Sequence, residues 1–531
     1  MADDQSATVR LLGDRSTHRA RDRVRRIDTH GAIVFLAGDR AYKLKRAVRL
    51  PYLDFSTVAK RFAACAAEVT VNRRTAPELY LGVAAVTDTP DGLTLGPIRD
   101  PRRIGARDKA RARDWAVVMR RFSDDALYDR IAARDGLSGE DAEAMAEAIA
   151  RFHRDARKAQ AAGDSRSTAW IAANNRAAIA AHTPRVFRAA DVRALARDTD
   201  AAVTRVAPLL AKRRRAGLVR HGHGDLHLRN ICRIDGRPVL FDALEFDARL
   251  ATVDVLYDLA FLLMDMLHRD LPVAANRLLN HYLALTVDPR DPTPLDGLAT
   301  LPLFLSLRAA IRAHTEATAA GTQPTRPLEA ARRDDARAYL KLAIGLLKPS
   351  APMLIAIGGL SGSGKTTLAR ALAPGIGAAP GALVLRSDVI RKRLAGVDSR
   401  AHLPGAAYTR RASERVYAAV SEMAVTTLRA GHSVIADAVF ADPAERAAIE
   451  AVARRAGVPF AGIWLDAGRT AMAGRLRARR GDASDATPSV LAQQMTYDLG
   501  PIAWTRIAAG RSPAAVARAA LRVVRRSGTP R

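Results

Sequence analysis

Only two cysteines occur in 531 residues, Cys65 and Cys232, far apart and without metal-ligand spacing. Their scarcity argues against a disulfide framework and a cysteine-bound zinc site. Aromatic residues make up 5% of the chain, too few to suggest a base-stacking channel for single-stranded nucleic acid. No run approaches the ~18 uninterrupted apolar residues that cross a bilayer, so no membrane partner is expected. The first residues, Met1-Ala2-Asp3-Asp4-Gln5, lack a basic region followed by an apolar core, and no signal peptide is expected. Acids are also outnumbered: 55 Asp and Glu stand against 84 Lys and Arg, a formal net charge of +29. That excess favours anionic partners such as nucleotides, phosphorylated metabolites or nucleic acid. The bases are spread along the whole chain instead of forming one block, which supports the plainer reading of a sequence simply rich in Arg and Ala. Hydrophobic residues at 48% and charged residues at 26% read as globular, and a cytoplasmic protein is the simplest expectation.

A chain of this length exceeds one ordinary core, so two to four domains are expected. Residues 1–24 are polar and basic and read as a loose lead-in. From Ala32 the pattern is strand-like: Ile33-Val34-Phe35-Leu36, a Gly38-Asp39 turn, then Ala41-Tyr42-Lys43-Leu44-Lys45, a hairpin. A helix is expected from Thr57 to about Arg74, with β segments near Leu79–Val86 and Trp115–Met119. These bound a first segment, 25–122. The segment 123–346 turns to long Ala-rich helices, including 139–160 and 189–212, interrupted at 218–247 by short strands and loops. Two prolines in Leu347-Lys348-Pro349-Ser350-Ala351-Pro352 place a linker at 347–352. Over 353–510 strand-like runs at 353–357, 382–386, 433–436 and 461–465 alternate with helical patterns, which predicts a parallel sheet covered by helices. Residues 511–531 form a basic tail. No internal repeat is evident.

In that last domain Gly359-Leu360-Ser361-Gly362-Ser363-Gly364-Lys365-Thr366-Thr367 sits between a buried strand and a helix. Glycines let backbone N–H groups curl around phosphate oxygens, Lys365 reaches the β- and γ-phosphates, and Thr366 offers Mg²⁺ a hydroxyl. The following helix adds its positive end. Asp388 and Asp437 close later strands, at the edge where open α/β sheets bind ligands. There Asp388 would take a proton from an acceptor hydroxyl and Asp437 would organise Mg²⁺; capping the next helix is the competing reading of each. Arg475 and Arg479 share a helix face and suit a lid that neutralises a transferring phosphoryl group, or else a solvated basic face. These features resemble the small P-loop kinases: gluconate kinase, adenylylsulfate kinase, zeta-type toxins and the kinase module of polynucleotide kinases. The resemblance covers about 350–510, implies a P-loop NTPase fold of the wider AAA family, and makes Arg391 a candidate substrate contact.

Earlier, His223-Gly224-Asp225-Leu226-His227-Leu228-Arg229-Asn230 places an Asp and an Asn five residues apart. In kinases of the protein-kinase type that pair orients the acceptor hydroxyl and ligates Mg²⁺. Asp242, ending Val239-Leu240-Phe241-Asp242, fits the second metal carboxylate. Lys43 on a strand and Glu68 on a helix fit the ion pair that positions the α- and β-phosphates, with Lys45 as the rival lysine. The set resembles the aminoglycoside phosphotransferase and choline kinase branch of the protein-kinase-like fold, over roughly 25–345. By that resemblance 25–122 is an N-lobe, 123–346 a C-lobe, Met119–Phe122 the hinge and Asp258 a structural carboxylate. Glu245 and Asp247 would either support the metal or be surface acids. His221 and His227 read as hydrogen-bonding rather than metal-binding. A Gly-rich loop over the phosphates is lacking; Thr29-His30-Gly31 alone precedes the hairpin.

The arrangement resembles bacterial fusions of an aminoglycoside phosphotransferase with an ATP-binding kinase. The expected fold class is therefore α+β followed by α/β: a two-lobed protein-kinase-like domain, then a P-loop NTPase with a parallel sheet flanked by helices. The expected function is a bifunctional phosphotransferase with two ATP·Mg²⁺ sites acting on small hydroxylated molecules. Two alternatives remain open at this point. The C-terminal domain would be a nucleic-acid 5′-hydroxyl kinase, or one nucleotide site would be a sensor that regulates the other.

Overall fold

In the computed structural model, residues 4–29, 31–50, 53–159, 163, 165–245, 247–399, 401–478 and 483–528 are described. They divide into two compact units, one of residues 1–137, 151–163 and 217–262, the other of 138–150, 164–216 and 263–531.

The first unit is built on a six-stranded sheet. Helix α1 (Ser6–Gly13) precedes strands β1 (Arg25–Asp28), β2 (Ala32–Ala37) and β3 (Arg40–Lys45). Helix α2 (Val58–Asn72) leads to β4 (Tyr80–Thr89), β5 (Gly92–Leu95) and β6 (Ala112–Arg120), and the order across the sheet is β1-β2-β3-β6-β4-β5. β2 is apolar and buried almost throughout, as an interior strand must be. Gly38, at φ +56°, makes the β2–β3 turn in a region that favours glycine. The buried stripe of α2 is Arg61, Cys65, Glu68, Val69 and Asn72, the 3.6-residue periodicity of one helix face. Three of these five are polar, and each has to be satisfied inside the fold. Arg61, for example, donates to Asp114 Oδ1 at 2.8 Å. Both cysteines are free and lie in the apolar cluster around Trp115 and Val83, where burial pushes their thiols up to about 12.

The chain start is more ordered than its polar composition suggests. Leu12 on α1 is completely buried, and the Gln5 side chain donates to Lys45 O at 2.8 Å and accepts Ala47 N–H at 2.7 Å. A short amphipathic pattern, invisible to composition, docks this segment.

Helices dominate the middle of the chain: α3 (Gly139–Asp155), α4 (Ser165–Ala180) and α5 (Ala189–Arg215). The first unit then takes strands β7 (Val219–His221), β8 (Ile231–Ile234) and β9 (Arg237–Leu240), β8 and β9 forming a hairpin. After α6 (Val255–His268) the second unit continues with α7 (Pro272–Thr286), α8 (Leu301–Ala320) and α9 (Arg326–Leu346). The stretch Thr293–Ala320 is long and apolar enough to cross a membrane by length and composition alone, and 72% of its apolar window is buried within the fold.

Beyond the prolines lie β10 (Leu354–Gly358), α10 (Lys365–Leu372), β11 (Leu383–Arg386), α11 (Ser387–Leu394), α12 (Arg410–Arg429) and β12 (Val434–Asp437). They are followed by α13 (Pro443–Ala456), β13 (Phe460–Asp466), α14 (Arg469–Ala478), α15 (Pro488–Gln494), β14 (Thr505–Ala508) and α16 (Pro513–Gly528). All five strands are parallel, in the order β11-β12-β10-β13-β14. The residues read as a basic tail are mostly α16, whose Val516, Ala520 and Val524 enter the core beneath the sheet.

Candidate active sites

The first site is assembled from β3, α2 and the two segments that follow β7 and β9. Lys43 and Lys45 point the same way because residues two apart on a strand share a face. Both reach the carboxylate of Glu68, which is fully buried. Lys43 Nζ lies 2.9 Å from Glu68 Oε1 and 2.7 Å from Asp242 Oδ1. Lys45 Nζ lies 2.5 Å from Glu68 Oε2 and is also paired with Glu245. The two lysines thus share Glu68, and Lys43 is also paired with Asp242. Glu245 is a partner of Lys45, and Asp247 is salt-bridged to Arg249.

The electrostatics follow from this count of charges. Burial opposes ionisation of Glu68, but Lys43 and Lys45 overcome it and hold its carboxyl at about 2. Burial likewise opposes the charge on Lys43, which Asp242 and Glu68 restore, leaving the ammonium well above its usual range. Three carboxylates face two ammoniums, so burial can lift Glu245 above the usual carboxylate range despite Lys45. A divalent cation on Asp242 would offset that excess negative charge.

Asp225 lies in the loop after β7, with 38% of its side chain exposed. Asn230 Nδ2 donates to Asp225 Oδ2 at 3.0 Å and to Asp225 O at 2.9 Å, which leaves its carbonyl oxygen for another ligand. His227 Nε2 sits 3.5 Å from Asp225 Oδ2, and its ring meets Phe261 edge-on. Behind the loop, Asp258 accepts the N–H groups of His223 at 2.7 Å and Gly224 at 2.8 Å, and His153 lies at 3.2 Å. A Cβ on Gly222 would fall 2.4 Å from Asp258 Oδ2, so only glycine fits there. His223 is kept neutral by burial and donates to Phe241 O at 3.0 Å, joining the two loops. Among the described residues no cluster of metal-ligating side chains involves His221 or His227.

Sequence reasoning missed two residues at the end of α2 and in the turn after it. Asn72, one turn beyond Glu68, accepts Ala243 N–H at 2.7 Å, directly after Asp242. Arg74 donates to His221 O at 2.7 Å and Gly222 O at 3.0 Å, at the base of the Asp225 loop. The i+4 spacing from Glu68 was the one available signal for Asn72.

The second site is the loop between β10 and α10. Gly359, Gly362 and Gly364 all have positive φ, at 140°, 82° and 101°. The loop is also packed: a Cβ on Gly362 would come within 2.6 Å of Met472 O, and one on Gly359 within 2.7 Å of Leu465 O. Lys365 Nζ donates to Gly359 O at 2.8 Å and Leu360 O at 3.1 Å. Thr366 Oγ1 donates to Asp437 Oδ2 at 2.7 Å, because β12 lies beside β10 with Ile357 opposite Asp437. This hydroxyl–carboxylate pair at the start of a helix fits an octahedral, oxygen-seeking cation such as Mg²⁺. Thr367 follows in the first turn of α10. Asp388 lies in the first turn of α11 and helps to push the Tyr408 hydroxyl upward, after burial and Asp485. Arg391 stacks over Tyr408 at 4.9 Å and donates to Ala407 O at 2.7 Å and Ser413 Oγ at 3.3 Å.

Arg475 is placed differently from a free lid residue. It donates to Gly362 O at 3.3 Å, Ser363 O at 3.1 Å and Ala509 O at 2.7 Å, bracing the loop's backbone. Arg479 lies outside the described residues. Two further neighbours had no sequence signal. Gln494 Oε1 accepts Ser361 N–H at 2.8 Å, and Arg386 Nε lies 3.7 Å from Asp437 Oδ2.

The N-terminal part is built on a six-stranded antiparallel sheet, and the C-terminal part is a five-stranded parallel sheet flanked by helices, as in a P-loop domain. An AAA domain family matches residues 354–498. Over 486 residues the chain is 32% identical to the uncharacterized protein Rv2004c of Mycobacterium tuberculosis, covering 89% of this chain and 90% of that one. Among solved structures, a gluconokinase from Sinorhizobium meliloti is 22% identical over 33% of this chain and 94% of its own, with a TM-score of 0.25. A choline/ethanolamine kinase family protein from Mesorhizobium loti is 12% identical over 65% of this chain and 98% of its own, with a TM-score of 0.36.

Proposed function

Because the chain belongs to the same family as the mycobacterial protein Rv2004c and carries an AAA domain at 354–498, we propose that it is an ATP-dependent phosphotransferase with two nucleotide sites. Each site would transfer the γ-phosphate to a hydroxyl of a small molecule. The reading is carried by one recurrent arrangement. Each site has a lysine for phosphate and oxygen donors suited to Mg²⁺: Lys43 is paired with Asp242, with Asn230 beside Asp225 in the neighbouring loop, and Lys365 is followed by Thr366, which donates to Asp437.

In the first site Lys43, steadied by Glu68, would hold the α- and β-phosphates, and Asp225 would orient the acceptor hydroxyl and receive its proton. In the second, the N–H groups of Gly359–Thr367 and the ammonium of Lys365 would hold the phosphates. Asp388 would take the proton there, with Arg391 near the acceptor. At both, the acceptor oxygen forms a bond to the γ-phosphorus as its bond to the β-bridging oxygen breaks, and ADP leaves. Asn230 and Asp242 in the first site, and Thr366 and Asp437 in the second, would hold Mg²⁺, which would supply charge neutralisation to the phosphates. Two free, buried thiols fit a reducing compartment, and we place the activity in the cytoplasm.

The decisive experiment is a phosphate-transfer screen over sugars, polyols, amino alcohols, aminoglycosides and 5′-hydroxyl oligonucleotides. It is run on the wild type, Asp225→Ala and Lys365→Ala. Two separable activities, each lost in one variant, are expected. A Lys365→Ala change that alters turnover at the Asp225 site would favour a sensor, and ATP turnover untouched by both variants would overturn the reading.

A further inference from the structure

An open sheet leaves its outermost strand with unpaired N–H and C=O groups, and proteins cover or blunt such edges. β11 is such a strand: its inner side pairs with β12, from Leu383 opposite Val434 to Arg386 opposite Asp437. On its outer side, within the same compact unit, two asparagines of α7 meet the exposed backbone. Asn280 Oδ1 accepts Val384 N–H at 2.6 Å, and Asn280 Nδ2 donates to Ala382 O at 3.1 Å. Asn276, one helical turn earlier and buried, donates to the same carbonyl at 3.1 Å.

A carboxamide carries the donor and acceptor of a peptide group. In a parallel ladder one residue donates to a carbonyl on its partner and accepts an N–H two residues further on. Asn280 makes that pair of bonds to Ala382 and Val384, so its side chain stands where a sixth strand would begin. The helix after β11 is gripped at its other end. Arg393 on α11 donates to Val287 O at 3.3 Å, and Arg290 donates to Leu394 O. Residues 382–394 are thereby held at both ends by α7 and the chain just beyond it.

We propose that Asn280 is a positioning residue for the P-loop site, a surrogate strand that sets β11 and α11 and with them Asp388 and Arg391. Its consequence for turnover rests on the acceptor-handling role proposed for those two residues. The helical region before the proline linker thus shapes the acceptor face of the domain after it.

Residue-resolved hydrogen exchange on the full chain tests this without any substrate. Asn280→Leu is expected to speed exchange of the Val384 and Ile390 amides about tenfold, the scale of one net hydrogen bond, and to leave Ile355 in β10 unchanged. Asn280→Asp keeps an acceptor for Val384 N–H and is expected to keep most of its protection. With an acceptor in hand and Asp225→Ala as background, Asn280→Leu should raise the acceptor KM several-fold while the ATP KM and affinity for a non-hydrolysable ATP analogue stay constant. Unchanged exchange at Val384, equal acceleration at Ile355, or an unchanged acceptor KM would each overturn the proposal. Failure of the phosphotransferase reading appears instead as no transfer by the wild type, whereas the exchange result does not depend on transfer.

Discussion

Asn72 Oδ1 accepts the backbone N–H of Ala243 at 2.7 Å, although 171 residues separate the two. The same side chain donates back to Glu68 O at 3.0 Å, so it is anchored to its own helix while it holds the segment after β9. Asp242, just before Ala243, has φ +59°, and its N–H is accepted by Tyr80 Oη at 3.2 Å. A left-handed aspartate costs of order 1 kcal/mol and persists only where its surroundings enforce it. Helix α2 and the turn that follows it therefore reach three segments of the candidate site: Glu68 meets β3, Asn72 meets the Asp242 segment and Arg74 meets the Asp225 loop. A shift of this helix would disturb all three together.

Asn72→Leu leaves Ala243 N–H buried without its partner, a loss of roughly 1–3 kcal/mol. Much of that would be relieved by displacement of Asp242. The expected outcome is a rise in the Mg²⁺ concentration needed for half-maximal turnover at the Asp225 site. Activity that depends on Lys365 should be unaffected. Metal titration of both activities checks it, and equal losses at the two sites would contradict the assignment.

The Lys45–Glu245 pair is nearly inaccessible, with 4% and 8% of the side chains exposed. Removing one member of a buried pair strands the other, which typically costs about 3–5 kcal/mol, whereas replacing both with apolar groups is often close to neutral. Lys45→Met should therefore lower the denaturation midpoint markedly, and Lys45→Met with Glu245→Leu should recover part of the loss. Glu68 keeps Lys43 in the double variant, so turnover should survive. If the two substitutions prove additive in a double-mutant cycle, the pair is not coupled as the geometry shows.

Much of this architecture was legible because the chemistry is local in sequence. The glycine spacing of 359–364, the Asp225–Asn230 interval and the apolar runs before Asp242 and Asp437 each fit within a few residues. Strand parity also placed Lys43 and Lys45 on one face. What escaped depends on pairs far apart: Asn72 with Ala243, Lys45 with Glu245, Asn280 with Val384. Periodicity marks a position as buried without naming what it meets. Arg475 shows a second limit, since an arginine on a helix after a P-loop sheet reads the same whether it faces phosphate or backbone carbonyls. Ser6–Gly13 shows a third, because a short helix in a polar segment buries only Thr8 and Leu12, a pattern composition does not register.

The placement of Arg475 separates two roles by kinetics. A guanidinium that only neutralises a transferring phosphoryl group affects kcat, with nucleotide affinity retained. One that donates to Gly362 O, Ser363 O and Ala509 O holds the loop in shape before any nucleotide arrives. Arg475→Ala is expected to weaken binding of a non-hydrolysable ATP analogue at the P-loop about tenfold or more, one tenfold step being about 1.4 kcal/mol. Lys should rescue poorly, because one ammonium cannot reproduce the planar fork. Calorimetry compared with Lys365→Ala, which identifies the heat that belongs to the P-loop, measures this, and undiminished affinity with reduced turnover would return Arg475 to the lid role.

Acid should weaken the second unit through a histidine outside either site. His432 is buried and donates Nε2–H to Gly381 O at 2.7 Å, and burial lowers its pKa to about 4, against the opposing effect of that hydrogen bond. The unfolded chain takes up the proton near pH 6.5 and the folded chain does not until about pH 4. The stabilising contribution is therefore complete above pH 6.5 and is lost progressively as the pH falls to about 4. A displacement of this size corresponds to roughly 3 kcal/mol by linkage. His432→Gln retains a donor for Gly381 O but cannot be protonated, so its melting temperature should fall less steeply than that of the wild type across this interval. Parallel thermal melts between pH 7.5 and 4.5 provide the comparison, and identical slopes would show that His432 does not stay neutral in the fold.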